Sequence, residues 1–292
     1  MEHYQKGIIA GGTGLLYQAA EILELSGRAE QIELYFCNQN GFGKKQKETV
    51  RCRRIPGKNE LMALLEKESK RTLVLSVMNP WLFTKEVLSN TNLLVVNLHH
   101  ALLPAHRGRN AEAWAIYDGD EKTGITWHKV DAGIDTGAIY LQKEVEIDNS
   151  MTSVRLLTRL NEAALTGLEE LLQEGFSQRE MIKQKPVKSC LHMAKEVPNG
   201  GWLDLSWNLG QISRFLRAMD YGILHVLGRP KVRLGDGVYV WKSWEILESK
   251  EERKDEIEFS LEERKLCIRK EGTTIRLKNM KKMECETDGN II

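Results

Sequence analysis

The chain has 292 residues, with 42 Lys and Arg against 41 Asp and Glu and a formal charge of +1. That balance gives no electrostatic reason to expect DNA, RNA or an acidic membrane as the main partner. Its five cysteines (Cys37, Cys52, Cys190, Cys267, Cys285) are far apart and without a CxxC pair, so they read as reduced thiols, not as a disulfide framework or zinc site.

The amino terminus, MEHYQKGIIAGG, lacks a signal-peptide pattern, and no apolar run approaches the ~20 residues that span a bilayer. A soluble, cytoplasmic protein is expected. The length exceeds that of a usual single domain, which predicts one large domain and a smaller one.

In chain order, KGIIAGG (residues 6–12) reads as a strand entering a glycine turn, and LLYQAAEILELSG (15–27) as a helix closed by a glycine. QIELYFCN (31–38), RTLVLSVM (71–78) and LLVVNLHH (93–100) are further strands, the second preceded by the amphipathic NELMALLEKESK (59–70). TGITWHKVD (123–131) and GAIYLQKEVEI (137–147) add two more around a glycine-rich loop. Residues 152–173 place Leu157, Leu160, Ala164, Leu168 and Leu171 on one helical face.

Past KQKPVKS (183–189) the pattern changes to a short helix over 206–219 and then to strand-like segments at 230–234, 237–247, 256–261, 265–272 and 273–280. The last residues, 280–292, read as a weakly packed tail. The predicted fold is therefore α/β: a Rossmann-like, mostly parallel sheet with helices on both faces over residues 1–189, and a small β-rich, OB-like barrel domain over 190–292.

In open parallel sheets ligands sit beyond the carboxyl ends of the strands. Asn97 and His99 lie at such an end, and Asp135 follows another in VDAGIDTG. Asn donates hydrogen bonds, His exchanges a proton near neutral pH and Asp orients or charges the His, so the three compose a possible acyl-transfer site. No Ser or Cys stands in a nucleophile elbow, so the attacking group would come from a substrate.

Plainer readings compete. His99 also reads as an ordinary strand-end histidine, Asp135 as a turn residue, and Pro104 and Gly108 as loop-shaping residues. His99, His100 and His106 fit no ordinary zinc spacing, so no metal is expected. AGGTGLL (10–16) lacks a full GxGxxG, and Cys37 and Asn38 stand where an acidic residue would end the second strand, which argues against a nicotinamide-dependent oxidoreductase.

The stretch NLHHALLPAHRGRNAEAWAIYDGDEKTGITWHKVDAGIDTGAI (97–139) resembles the signature of the formyltransferases that use 10-formyltetrahydrofolate. In that family an Asn-x-His-x-x-x-x-Pro loop, an Arg-Gly turn and an Asp-x-Gly-x-Asp-Thr-Gly loop surround the reacting centre. The resemblance implies that Asn97, His99 and Asp135 are catalytic. A neutral primary amine would attack the formyl carbon, Asn97 and a protonated His99 would hold the developing oxyanion, and Asp135 would keep His99 charged and help move a proton.

The resemblance also implies a folate slot formed by Pro80, Trp81, Leu82 and Phe83 with Asp131, Ala132 and Gly133. Pro80 and Trp81 depart from the residues common there, and Trp81 and Phe83 also read as core residues. Gly12 would approach the acceptor, and Arg107 and Arg109 would meet an acceptor phosphate. Trp114 and Trp127 read as packing residues that could also line an acceptor cleft. The carboxyl-terminal part is similar to the small domain appended to methionyl-tRNA formyltransferases.

WHKVDAGIDTG is similar to formylation domains of peptide synthetases, which implies an aminoacyl group on a carrier protein as acceptor. A nucleotide-linked amino sugar is the close second. A tRNA partner is disfavoured, since residues 248–265 mix both signs of charge. A folate-binding regulatory protein without catalysis is the alternative of another class.

Overall fold

A computed structural model describes residues 2–37, 50–185, 190–248, 255–270 and 272–283. Asn38, the 186–189 stretch beside the expected boundary, Cys285 and the tail from residue 284 onward lie outside the described residues. The chain divides into two compact units, the first comprising Met1–Glu112, Glu121–Ile147 and Leu156–Ala194, the second Ala113–Asp120, Asp148–Arg155 and Lys195–Ile292. Among the described residues no helix is long and apolar enough to cross a membrane.

The first unit follows the order β1 (Tyr4–Gly11), α1 (Leu15–Ser26), β2 (Ala29–Phe36), β3 (Val50–Arg54), α2 (Lys58–Glu66), β4 (Thr72–Val77), α3 (Lys85–Ser89), β5 (Leu93–His99), β6 (Arg107–Gly108), α4 (Ala111–Asp118, continuing into the second unit), β7 (Lys122–Lys129), β8 (Ile139–Glu146), α5 (Ser153–Glu174) and β9 (Leu191–His192). The main sheet has the order β3-β2-β1-β4-β5-β7-β8. Its first five strands are parallel; β7 runs antiparallel to β5, and β8 to β7. The chain order reverses between β1 and β4, the switch point where such sheets open a crevice at the strands' carboxyl ends.

Two-residue alternation assigns the sheet faces. Ile8, Ala10, Val74 and Val95 pack with Leu61, Met62, Leu65 and Val87 of α2 and α3. On the other face, a Cβ at Gly7 would meet Leu23 of α1, and the Trp127 indole donates to the Ala164 carbonyl of α5 at 3.0 Å. Helices therefore cover both faces, as the apolar strands require. In α5 the buried row is Leu156, Leu160, Ala164, Leu168 and Leu171. Leu157, assigned to that row from the sequence, is only half-buried. Trp127 is buried as a core residue, while Trp114 falls in the second unit and meets Tyr117 edge-on.

The second unit contains α6 (Leu209–Ala218), β10 (Lys231–Leu234), β11 (Gly237–Val240), β12 (Ser243–Glu248), β13 (Glu256–Ser260), β14 (Lys265–Lys270), β15 (Thr273–Lys278) and β16 (Lys281–Lys282). A capping box starts α6: the Asn208 side chain accepts from the Gln211 amide at 2.9 Å, and Gln211 accepts from the Asn208 amide at 3.1 Å. Ile212, Phe215 and Leu216 of this helix enter a core with Val232, Trp241, Ile268 and Leu277. The strands form two antiparallel sheets, β10-β11-β16 and β12-β15-β14-β13. The segment 237–247, which reads as one strand in the sequence, breaks at Trp241 and Lys242 and contributes a strand to each.

Gly11 marks how closely β1 and β4 approach at the switch point. A Cβ there would lie 1.7 Å from the Val77 carbonyl oxygen, a backbone atom that cannot rotate away. Gly11→Ala is expected to lower unfolding stability by ~1–3 kcal/mol, the usual cost of overpacking. Urea unfolding is the measurement, and an unchanged midpoint would contradict this packing.

Candidate active site

The site gathers at the carboxyl ends of β4 and β5. Val95, Asn97 and His99 alternate onto one sheet face, with Val95 in the core and the two polar residues nearer the end. Strand register then sets three side chains side by side, since Ser76 of β4 pairs with Asn97 of β5 and Asn97 with His128 of β7. Ser76 Oγ donates to Asn97 Oδ1 at 2.7 Å, which turns the amide nitrogen the other way. Asn97 Nδ2 lies 3.1 Å from His128 Nε2 and 3.5 Å from Asp135 Oδ1. His128 Nδ1 is 3.0 Å from the Lys129 carbonyl and must donate to it, leaving Nε2 to accept from Asn97. The second hydrogen of Asn97 has only the long contact to Asp135, so a ligand oxygen in the cavity offers it a better acceptor.

Asp135 arrives from the loop between β7 and β8 with φ +52°, a left-handed conformation that Asp tolerates better than most residues. Its Oδ2 accepts from the Gly108 amide at 2.9 Å and faces His99 Nδ1 at 3.4 Å; its Oδ1 faces His128 Nε2 at 3.5 Å. Burial works against the charged carboxylate, but the His128 contact, the attraction of His99 when that ring is protonated and the Gly108 amide outweigh it and hold the pKa down at about 2.

His99 is buried, and its Nε2 donates to the His106 carbonyl at 2.8 Å. Burial lowers its pKa; Asp135 and the His106 carbonyl pull the other way without overcoming it. The sequence reading expects a protonated His99 held charged by Asp135. Desolvation instead favours a neutral ring with its hydrogen on Nε2 and Nδ1 open toward Asp135.

The surrounding loops are held by close backbone contacts. Gly108 has φ +95°, and a Cβ there would lie 2.1 Å from the His192 carbonyl oxygen. That carbonyl accepts from the Arg109 amide at 2.9 Å, and β6 pairs in parallel with β9. His106 Nδ1 and His192 Nε2 are 3.1 Å apart, with the rings stacked.

Asn97, His99, His128 and Asp135 line a cavity of about 360 Å³. Pro80, Trp81, Leu82, Phe83, Asp131, Ala132 and Gly133 line it too. Trp81 and Phe83 also pack on the α2–α3 core, as their reading as core residues expects. Asn79 shapes this wall: its side chain donates to the Trp81 carbonyl at 2.9 Å and accepts from the Trp81 amide at 3.2 Å. Asp131 Oδ1 accepts from the Gly133 amide at 3.1 Å and from Thr136 Oγ1 at 2.6 Å, and so shapes its own turn.

Arg109 reaches the cavity wall and donates to the Pro80 carbonyl at 2.7 Å. Gly12 and Arg107 are not among the lining residues, and Arg107 Nη2 donates to Gln184 Oε1 at 2.6 Å. Sequence reasoning missed Ser76 and His128. His128 sits inside the motif-bearing stretch, and strand pairing of 123–131 against 93–99 was the signal that could have found it.

The family model described as formyl transferase matches residues 37–172. GDP-perosamine N-formyltransferase of Brucella melitensis biotype 1 is 38% identical over 132 residues, 43% of this chain and 48% of that protein. Methionyl-tRNA formyltransferase of Clostridioides difficile is 32% identical over 139 residues, 47% of this chain and 44% of that protein. The chain thus spans about half the length of the curated relatives it matches. The fold is similar to that of an N-formyltransferase from Helicobacter canadensis crystallised with folinic acid and dTDP-3-aminofucose, with a TM-score of 0.70, 15% identity, and coverage of 96% of this chain and 99% of that one.

The lowered pKa of Asp135 has a sign. The folded protein holds the carboxylate charged more firmly than the unfolded chain does, so this stabilisation is full above about pH 4 and is lost as the pH falls toward about 2. Asp135→Asn removes it. The stability advantage of wild type over the variant is expected to shrink by ~2 kcal/mol across that window, measured by denaturant titration at stepped pH. A gap that stays constant would refute the assignment.

Proposed function

We propose that this chain, whose residues 37–172 match the formyl transferase family model, transfers a formyl group from 10-formyltetrahydrofolate to the primary amine of a nucleotide-linked amino sugar. The observation that carries the reaction is the contact set among Asn97, His99 and Asp135 at the cavity floor. The folate supplies the activated formyl group. The cavity suits it: a flat, mostly apolar ring system needs an apolar slot edged by peptide groups, and Trp81, Leu82 and Phe83 opposite the 131–134 turn compose one.

The residues divide the work as follows. Asn97 donates its second amide hydrogen to the formyl oxygen as negative charge develops there. His99 cannot offer Nε2, which is committed to the His106 carbonyl. Its Nδ1 is the atom positioned to take up the proton released by the attacking amine and to return it to the folate nitrogen as the bond from that nitrogen to the formyl carbon breaks, and Asp135 stabilises the intervening imidazolium at 3.4 Å. His128 and Ser76 keep the Asn97 amide in the required orientation.

The sequence reading placed a carrier-bound aminoacyl acceptor first. The amino sugar takes its place here because the 38%-identical relative is a GDP-perosamine enzyme and the Helicobacter structure was crystallised with dTDP-3-aminofucose. Methionyl-tRNA is the second reading, favoured by the Clostridioides relative.

Incubation with 10-formyltetrahydrofolate and four acceptors (a GDP- or dTDP-amino sugar, Met-tRNA, glycinamide ribonucleotide and an aminoacyl carrier protein) tests this, scored by mass for added formyl. The N-formylated nucleotide sugar is the expected product. Formylation of Met-tRNA alone would establish the second reading, and folate binding without turnover on any amine would leave a regulatory protein. Asn97→Ala is expected to lower kcat by ~100- to 1000-fold, the usual loss on removing one oxyanion donor; near-normal turnover would remove Asn97 from the mechanism.

A further inference from the structure

Asp135 is gripped in two ways, by groups on its carboxylate and by groups on its backbone. The carboxylate is held by His99, His128, Asn97 and the Gly108 amide. The backbone has a separate partner. Gln184 Nε2 donates to the Asp135 carbonyl at 2.9 Å and to the Gly137 carbonyl at 2.8 Å, so both amide hydrogens go to this one turn. Its Oε1 accepts from Arg107 Nη2 at 2.6 Å.

The fit is demanding. The two carbonyls converge on one point, where they would repel each other unless a two-hydrogen donor lay between them. The turn has little room to relax, because a Cβ at Gly137 would lie 1.7 Å from the Lys129 carbonyl oxygen. Asp135 itself is in the left-handed region. Gln184 is delivered by a backbone bridge in which Ile182 and Ile139 exchange both hydrogen bonds, at 2.8 and 2.9 Å. The positive charge of Arg107 on the amide oxygen polarises Gln184 and strengthens its two donor bonds.

We propose that Gln184 is a positioning residue that holds the Asp135 turn in its working conformation and, through Arg107, locks that turn to the His106–Gly108 loop. Arg107 then serves the site from behind, with its guanidinium on Gln184. The kinetic consequence rests on the formyl-transfer reading; the positional one does not.

Gln184→Glu keeps the shape and the acceptor for Arg107 but loses both donor hydrogens, Gln184→Ala removes everything, and Arg107→Ala removes the guanidinium and its bond to Gln184 while both Gln184 donors stay in place. With the best acceptor, Gln184→Glu is expected to lower kcat by ~100-fold with KM little changed, the loss typical of an ~1 Å misplacement. Arg107→Ala should give a smaller loss of the same kind.

The readout that needs no acceptor is the His99 ring titration followed by NMR. Once Asp135 drifts from Nδ1, the ring loses the carboxylate's support and titrates at lower pH in both Gln184 variants. An unchanged titration in Gln184→Glu overturns the proposal, as does a variant that no longer folds, since Gln184 would then be a residue of the fold. A shifted titration in a protein that formylates no amine keeps the positioning role and removes the formyl-transfer reading.

Discussion

A carboxylate taken out of water costs several kcal/mol unless other groups replace its hydration, and Asp135 sets that condition for the whole site. The Gly108 N–H and the Asn97 amide donate to it, and the His99 and His128 rings face it at 3.4 and 3.5 Å. They come from β5, β7 and the β6 turn, so the charge can be buried only when these segments are all in place. The carboxylate therefore both assembles the site and depends on its assembly. Its low pKa expresses the same balance, since attractive contacts outweigh the burial that opposes them.

Sheet geometry makes this convergence possible. Two-residue alternation puts Asn97 and His99 on one face, and inter-strand register sets Ser76, Asn97 and His128 in one row across β4, β5 and β7. A one-residue slip of β5 would send both polar residues to the face that α5 covers. The antiparallel insertion of β7 matters for the same reason, because it brings His128 beside Asn97; β7 runs away from the carboxyl end of β5, and the loop after it turns back so that Asp135 faces Asn97, His99 and His128. The loops complete the arrangement with backbone contacts, and Gly108 and Gly137 pass where a side chain would strike a carbonyl.

The division of roles follows from where the hydrogens can be. Asn97 has a fixed amide orientation and one loosely held hydrogen, which suits an oxyanion donor. His99 has one nitrogen committed to a carbonyl and the other facing a carboxylate, which suits a proton acceptor. The proposed acceptor preference rests on none of these residues. It draws instead on the GDP-perosamine relative and on the Helicobacter structure.

Periodicity alone located most strands and the helices α1, α2, α5 and α6, because burial on one or two faces leaves a local trace in the sequence. It missed β3, which carries three arginines and a cysteine around Val50 and has no apolar pattern. The polar motif at 97–139 marked Asn97, His99 and Asp135 as candidates, and the resemblance it carries marked residues 80–83 and 131–133 as a possible folate wall. The neutral preference of His99 was decided by tertiary burial, which no spacing encodes. Ser76, His128 and Gln184 entered only through register and a long-range bridge, since their partners lie 21, 31 and 49 residues away in the chain. The sequence determined which chemistry was present; the fold decided which atoms of it face one another, because hydrogen-bond partners across strands and loops are set by pairing, which local pattern does not specify.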